Sequence, residues 1–358
     1  MTKKERVLNI FLCAVCLCAV IFAVLRPQVA AGAAFSALSL CIRRVVPSLF
    51  LFVVAAKMLA KCGFAAIFSR ITHGALERFF GVSPCGAAVI LLGLLSGYPT
   101  GAVVGGEYLA SGKMERAEAE RVLPFATAAS PAFLVGAVGG MFSDTRFGAV
   151  LLAAQVFSAL FLLLLTRKKG GMPARVLETG APVRPLAALT SSVKESGYAA
   201  LAVCSFVTFF YVFSAMILHI FPLSGEAAAL MSGMLEISCG FSRLADVGES
   251  CFLGGLMLGF GGFSVFLQTA DALGDTGVNL RKYLLCKCVQ ALLCGVLAVF
   301  FGKVFEFGGE MCAVFLFGRE QAKVSAVWET ALVFAVICLF SAIVLVVFLK
   351  IFRFFSKK

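Results

Sequence analysis

Long apolar runs separated by short charged stretches dominate this sequence. Such runs predict helices, and about 20 residues are enough to cross the hydrocarbon core of a bilayer. The pattern therefore predicts an all-α polytopic membrane protein with about seven spans. The predicted spans are residues 7–25, 45–60, 122–142, 147–166, 198–221, 280–302 and 327–349, and Thr127, Ser130 and Pro131 interrupt the third near its middle.

Three weaker apolar segments, residues 28–44, 64–80 and 226–242, carry polar residues between apolar ones. This pattern is typical of helices that lie in the plane of the membrane interface. The run 113–121 mixes acidic and basic residues at helical spacing. We interpret that run as the solvated start of a helix.

Residues 82–112 contain an interruption inside an apolar run. Pro99 removes a backbone donor and biases Tyr98 away from the α region, and the neighbouring glycines permit a sharp reversal. Each arm is too short to span, so we predict a re-entrant hairpin of two half-helices whose tip lies inside the membrane. Unpaired backbone at that depth is tolerated only against protein or a water-filled cavity. The tip consists of Ser96, Gly97, Tyr98, Pro99, Thr100 and Gly101.

Residues 249–277 have the same layout, with a second tip at Gly261, Gly262, Phe263 and Ser264. A shift of 165 residues places one tip on the other, and a shift of 159 places Leu76 and Glu77 on Leu235 and Glu236. The common order predicts two structural repeats, inverted as in many secondary transporters. The predicted organisation is an N-terminal anchor span with an interfacial segment (1–44), a first repeat with hairpin 82–112 (45–166), a cytoplasmic linker (167–197) and a second repeat with hairpin 249–277 (198–358).

Composition supports the membrane class, because 61% of the 358 residues are hydrophobic and 14% are charged. The net charge of +12 comes from basic residues at the ends of apolar runs, where they set orientation, so no nucleic-acid partner is expected. Most of the 14 cysteines lie within apolar runs and act as small hydrophobes. The sequence has no Walker-type loop, nucleophile motif or metal-ligand spacing, so it predicts no enzyme, cofactor or metal site.

Polar groups at the predicted interruptions are the candidate substrate contacts, since half-helix N-termini present free N–H groups that hold anions. For each hydroxyl the alternative is a bond to its own helix backbone, and for Tyr98 and Phe263 it is ordinary packing. Glu77, Glu236 and Lys287 are ionisable groups in or near apolar runs, and we expect Glu236 to couple transport to an ion. Beyond the first tip, the candidates are Thr127, Ser130, Gly261, Gly262, Phe263, Ser264, Gln268 and Thr269.

Four motifs of the first half occur in a fixed order: Pro47-Ser48-Leu49-Phe50, Ser96-Gly97-Tyr98-Pro99-Thr100-Gly101-Ala102, Glu118-Ala119-Glu120-Arg121 and Phe125-Ala126-Thr127-Ala128-Ala129-Ser130-Pro131. They resemble the YlbJ (SpoVV) family of sporulation integral membrane proteins, which belongs with the nucleoside-recognition or Gate-domain proteins. That group is similar in architecture to concentrative nucleoside transporters. The resemblance implies a role in endospore formation, in the mother-cell membrane, with movement of the aromatic dianion dipicolinate.

Three functional hypotheses follow. The first is a sporulation-associated transporter or facilitator for a small organic anion, dipicolinate-like by resemblance, bound between the two hairpin tips. The alternatives are a carrier for a nucleoside or other neutral metabolite, and a non-transporting scaffold in the sporulation membranes. The expected partners are the lipid bilayer, the small organic anion, a coupling ion (H⁺ or Na⁺) and a second copy of the chain in a homo-oligomer.

The position of the C-terminus tests the span count. Seven spans from a cytoplasmic N-terminus place the tail outside, although its basic residues, such as Lys350 and Arg353, favour the cytoplasm. We expect alkaline phosphatase fused after Lys358 to be active and green fluorescent protein at the same place to be dark. A fusion within the linker 167–197 supplies the cytoplasmic control, and a cytoplasmic tail would contradict seven spans.

Overall fold

The computed structural model describes residues 3–71, 75–167 and 184–316, and within these ranges every regular element is a helix. The predicted all-α class is therefore confirmed. The predicted span 327–349 and most of the predicted linker (168–183) lie outside the described residues. The helices are α1 (Lys3–Leu25), α2 (Pro27–Leu40), α3 (Val46–Lys61), α4 (Phe64–Ile71), α5 (Ala75–Phe80), α6 (Pro84–Ser96), α7 (Thr100–Ala110), α8 (Arg116–Ala126), α9 (Gly139–Phe142), α10 (Thr145–Leu165), α11 (Pro185–Ile220), α12 (Gly225–Leu235), α13 (Ile237–Val247), α14 (Cys251–Phe260), α15 (Gly262–Leu273) and α16 (Leu280–Leu316), with π-helical turns at Cys41–Val45 and Ala132–Val138 and a 3-10 turn at Gly274–Thr276.

Four described helical runs are long and apolar enough to cross a membrane: Thr145–Leu165, Pro185–Ile220, Cys251–Thr276 and Leu280–Val304. Two bent pairs raise the number to six if each pair is counted as one span. The described part thus holds four to six candidate spans, and the total of seven stays a prediction. The bent pairs are Cys13–Leu25 with Pro27–Val45, and Leu49–Lys61 with Phe64–Ile71.

The segment predicted as a separate interfacial helix, 28–44, is continuous with the span after it. α2 passes through the π-helical turn into α3 without leaving helical backbone angles. Its buried face consists of small residues, Ala30, Ala33 and Ala37, which let α2 approach α11 closely. α4 turns away from the end of α3 by 82°.

The first hairpin, formed by α6 and α7, confirms the predicted reversal at Gly97. The two helices run antiparallel, because Gly93 lies against Gly101 and Val89 against Gly105, each pair placed symmetrically about Gly97. Gly97 has φ +83°, a backbone angle that favours glycine. The tip is buried and therefore lies within protein.

The second hairpin is not where the sequence predicted it. α12 and α13, the segment expected to lie in the interface, reverse at Glu236 and pack so closely that a Cβ on Gly240 would overlap Gly233. Two short helices this close can only be joined by a tight tip. The second hairpin is therefore 225–247, with its tip at Leu235–Ile237.

The predicted hairpin 249–277 is instead one broken run. α14 and α15 follow each other along α16 in the same direction, since Gly259 lies against Ala291 and Phe266 against Tyr283. The interruption at Gly261 is a break, not a reversal, and the run Cys251–Thr276 is long enough to span. The predicted 165-residue match between tips is therefore wrong.

Two halves of the described chain share one order of elements. In each, a long helix (α3 or α11) precedes a hairpin (α6–α7 or α12–α13), then an interrupted helix (α8–α9 or α14–α15), then another long helix (α10 or α16); the first half has the short helices α4 and α5 in addition, between α3 and its hairpin. The interruption in the first half, which we call the first break, is the non-helical stretch 127–130, as predicted. The second break is Gly261.

Substitutions at Gly93 test the close packing of the first hairpin on the first break. An added Cβ at Gly93 or at Gly101 would overlap the Ala126 carbonyl. Helix propensity alone would make Gly93→Ala stabilising by about 1 kcal/mol. We expect Gly93→Ala to lower the free energy of unfolding by about 1–3 kcal/mol instead, because the overlapped carbonyl belongs to the backbone, which moves less easily than a side chain.

The measurement is the thermal unfolding midpoint in detergent, followed with a thiol-reactive dye that reports exposure of buried cysteines. Gly32→Ala is the matched control, because Gly32 is also helical and nothing lies within 4 Å of an added Cβ. An unchanged midpoint for Gly93→Ala would contradict the packing described above.

Candidate functional site

A cavity of about 40 Å³ lies where both hairpin tips and the helices of both breaks meet. Its polar lining comes from Tyr98 of the first tip, Ser130 of the first break, Glu236 and Ser238 of the second tip, and Gln268 of α15. This volume has room for roughly three water molecules. The apolar lining is Val45, Leu49, Phe133, Val203, Val207, Ile237 and Val265.

The first break is held open by a glutamine on the neighbouring long helix. Gln155 of α10 accepts a hydrogen bond from the Ala129 N–H and donates one to the Ala129 carbonyl, both at 2.9 Å. The side-chain amide thus replaces the partners that a continuous helix would provide. Ser130 accepts from the Phe133 N–H at 3.1 Å and caps the helical turn that follows.

The second tip is fixed by the carboxylate of Glu236. This residue has extended backbone angles, and its side chain accepts a hydrogen bond from the Cys239 N–H at 2.7 Å. The carboxyl group lies at the positive end of α13, which favours its ionised form. Glu236 therefore lines the cavity and also caps the second arm of its hairpin.

Tyr98 and two glycines connect the tips to the second break. The Tyr98 hydroxyl donates to the Leu258 carbonyl at 3.2 Å, and its ring lies beside Gly261. Gly262 fits against the Leu235 carbonyl of the second tip. Gly261 and Gly262 have φ of +86° and +85°, so glycine supplies both the angle and the close approach at this point.

A buried lysine lies behind Gly261, away from the cavity. Lys287 of α16 is 2% exposed, and its ammonium donates to the Thr127 carbonyl at 3.1 Å and to the Gln290 side-chain carbonyl at 2.9 Å. The hydroxyls of Thr127 and Tyr283 share a hydrogen bond of 2.7 Å. α16 thus presents a polar stripe to the end of α8.

Three of the predicted substrate contacts line the cavity, Tyr98, Ser130 and Gln268, and so does Glu236, which was predicted to couple transport to an ion. The ring of Phe263 is 40% exposed and does not line it. The Thr127 hydroxyl also donates to the Leu123 carbonyl. Such a bond to the backbone of its own helix was the alternative to substrate contact for each hydroxyl. The other candidates are buried near the tips and breaks without lining the cavity: Ser96, Gly97, Pro99, Thr100, Gly101, Gly261, Gly262, Ser264 and Thr269.

The motif Glu118-Ala119-Glu120-Arg121 anchors the base of the first hairpin. Glu118 accepts from the Ser83 N–H, and Arg121 donates to the carbonyls of Phe80 and Gly81 at 3.0 and 2.6 Å. Glu118 is 2% exposed, so the prediction that 113–121 is a solvated stretch fails at this position. The burial follows from the need to satisfy free N–H groups at the start of α6.

Glu120 of the same motif ties α8 to the start of α16. It accepts from the Lys282 ammonium at 2.9 Å and from the Asn279 N–H at 3.1 Å. These donors, with Lys282 first, hold the pKa of Glu120 below its ordinary value. The motif thus fixes both the hairpin and the helix that carries Lys287.

Gln155, Tyr283 and Gln290 contribute to the site but were not predicted from the sequence. Tyr283, Lys287 and Gln290 are spaced four and three residues apart, so they share one face of α16. This polar stripe within an apolar span is the sequence feature from which their role could have been predicted. Gln155 gave a similar signal as the one amide in the apolar run of α10.

The spanning helices and the buried hairpin tips define a multi-pass integral membrane protein. The sporulation integral membrane protein YlbJ of Bacillus subtilis strain 168 is 25% identical to this chain over 320 residues, which cover 77% of this chain and 78% of that protein. This similarity supports the assignment of the chain to the YlbJ family, in agreement with its motifs. No family model matches the chain, and no solved structure matches it.

Replacing Gln155 tests how the first break is stabilised. Gln155→Leu leaves the N–H and the carbonyl of Ala129 buried without a partner, and each unpaired group costs about 1–3 kcal/mol. We expect a loss of about 2–4 kcal/mol in the free energy of unfolding. Gln155→Glu keeps the acceptor and loses the donor, so its effect should be intermediate.

Ser158→Ala is the matched control on the same helix, because that hydroxyl bonds the carbonyl of Gln155 within its own helix. Its unfolding midpoint should stay close to that of the wild type. Equal midpoints for Gln155→Leu and Ser158→Ala would show that the amide does not hold the break.

Proposed function

We propose that the protein is a carrier, not an enzyme, that moves a small organic anion of the dipicolinate type across a membrane of the sporulating cell. The observation that carries this proposal is the convergence of two hairpin tips and two broken helices on one cavity. Irregular backbone is tolerated at membrane depth only where it is enclosed by protein or lines a water-filled cavity, and carriers place their substrate at such points.

Two inverted repeats are part of this proposal. Equivalent long helices pack against each other, α3 against α11 and α10 against α16. This is the arrangement expected if the halves are related by a pseudo-two-fold axis. A carrier built in this way alternates by moving one set of elements against the other around a fixed site.

The size of the cavity supports a moving carrier over an open channel. Room for roughly three water molecules does not admit an aromatic ring with two carboxylates, so binding requires a wider conformation than the one described here. We infer that the site widens when a hairpin tip withdraws.

The charge of Glu236 decides between the anion and the leading alternative. A carboxylate in the cavity repels an anion unless it carries a proton, so anion transport predicts co-binding of a proton at Glu236. An ionised Glu236 instead suits the hydroxyl groups of a nucleoside, with Tyr98 available for stacking. The nucleoside carrier therefore remains the second candidate, and the buried carboxylate is the observation that favours it.

Uptake by proteoliposomes tests the proposal. We expect labelled dipicolinate to enter, faster at lower external pH because a protonated Glu236 no longer repels it. Glu236→Gln keeps the acceptor for the Cys239 N–H but removes the charge, so its uptake should lose this pH dependence. Gly97→Leu places a side chain against Ser130 at the first tip and should reduce uptake at least tenfold, as an order-of-magnitude expectation.

Gly32→Leu is the control for a bulky substitution away from both tips, since open space surrounds Gly32. Uptake of uridine without dipicolinate would reject the anion and favour the nucleoside carrier. Uptake of neither would reject both carriers and leave the scaffold. Normal uptake by Gly97→Leu would reject the first tip as part of the site.

A further inference from the structure

Lys287 is a buried cation whose described partners are all neutral. Among the described residues, no carboxylate lies within 4 Å of its ammonium, which bonds the Thr127 carbonyl and the Gln290 side-chain carbonyl. A buried charge without a counter-ion is costly unless other groups replace its hydration. The oxygens around the Lys287 ammonium must therefore replace its hydration.

The position of Thr127 explains how neutral oxygens can hold a cation. Thr127 is the cap residue at the C-terminal end of α8, where backbone carbonyls lack helical partners and the helix dipole is negative. The first break turns one of these carbonyls toward Lys287. Gln290 adds its side-chain oxygen from one turn further along α16, and its amide nitrogen has no hydrogen-bond partner among the described residues.

This donor set matches the needs of an alkali cation. Hard cations take oxygen ligands, and in carriers with broken helices Na⁺ is held by unwound carbonyls and by the C-terminal ends of half-helices. Neutral oxygens suit a single positive charge, whereas divalent ions draw carboxylates. The two oxygens that the ammonium contacts, the Thr127 carbonyl and the Gln290 side-chain carbonyl, are both neutral.

We propose that the Lys287 ammonium is a built-in cation that fills an oxygen-lined Na⁺-type site at the end of α8. The protein then binds no Na⁺ at this place, and removal of the side chain creates a Na⁺ site. The proposal concerns whether the carrier binds Na⁺ at this place, so its biological meaning rests on the proposed function. The cation site can be tested without any transport.

Neighbouring ionisable groups leave this assignment unchanged. Cys286 and Cys294 are the titratable neighbours on the same helix, and Tyr98 and Tyr283 approach from the first tip and along α16. All four are neutral in their ordinary protonation states. The charged residues of α8 are engaged elsewhere: Glu118 at Ser83, Glu120 at Arg116 and Lys282, and Arg121 at the carbonyls of Phe80 and Gly81. Further ionisable residues of the adjacent helices are Arg146 at the start of α10, Cys251 beside Gly302 and the exposed Asp271 of α15.

The test compares thermal unfolding midpoints of the full-length protein in NaCl and in choline chloride of equal ionic strength. Lys287→Ala should gain a Na⁺-specific rise of roughly 3 °C or more, because Na⁺ binds the folded state alone. The wild type should show no difference between the two salts. Lys287→Met fills the space without charge, and Lys303→Ala removes an exposed lysine of the same helix, so neither should respond.

Each outcome decides the proposal. Na⁺-specific stabilisation of the wild type would overturn it. So would a Lys287→Ala protein whose unfolding midpoint is the same in NaCl and in choline chloride. If Lys287→Ala folds only in NaCl, that rescue supports it; if it folds in neither salt, Lys287→Thr carries the same expectation and the same power to refute. Failure of dipicolinate and uridine uptake would reject the carrier function while leaving the salt result intact.

Discussion

Every helix that stops inside this protein leaves backbone N–H and carbonyl groups that must find partners away from water. The architecture of the interior follows from how these groups are satisfied. Gln155 pairs with both backbone groups of Ala129, Glu236 caps α13, and Lys287 takes the carbonyl that α8 leaves free. Gln155 of α10 and Lys287 of α16 bond backbone groups of other elements, whereas Glu236 caps the helix that follows it. The polar residues of an otherwise apolar chain are therefore concentrated where helices are interrupted, and the cavity lies among them.

The same interruptions require the elements to approach very closely. Gly93 and Gly101 enclose the Ala126 carbonyl, and Gly233 and Gly240 bring the arms of the second hairpin together. Without these glycines, the tips could not reach the breaks. Close approach also keeps this cavity small, because the elements that form the site touch through backbone.

The sequence predicted those features that carry a local signal. Gly97 and Pro99 mark the first tip, and Pro131 marks the first break, so both were placed correctly. The second tip has neither proline nor glycine, since Glu236 reverses the chain by capping α13, and glutamate is a weak capping signal. The second tip was predicted at Gly261 and Gly262 instead. Both have positive φ angles, but Gly261 lies beside Tyr98 and Gly262 lies against the Leu235 carbonyl. The pairing of Lys287 with Thr127 depends on two helices that are 160 residues apart, and no local pattern encodes such a contact.

The two hairpins are held by different kinds of contact, which bears on how the site opens. The first hairpin is tied at its base by Glu118 and Arg121, and its second arm by the ion pair of Glu107 with the nearly buried Lys57, which also pairs with Glu195 of α11. The second hairpin meets α11 through the hydroxyls of Ser214 and Ser232. Separating a partly buried ion pair exposes two charges that then need other partners, whereas separating two hydroxyls costs about one hydrogen bond. Under the proposed carrier function, withdrawal of the second tip would therefore be the less costly way to widen the cavity, and it would carry Glu236 away from Tyr98, Ser130 and the second break.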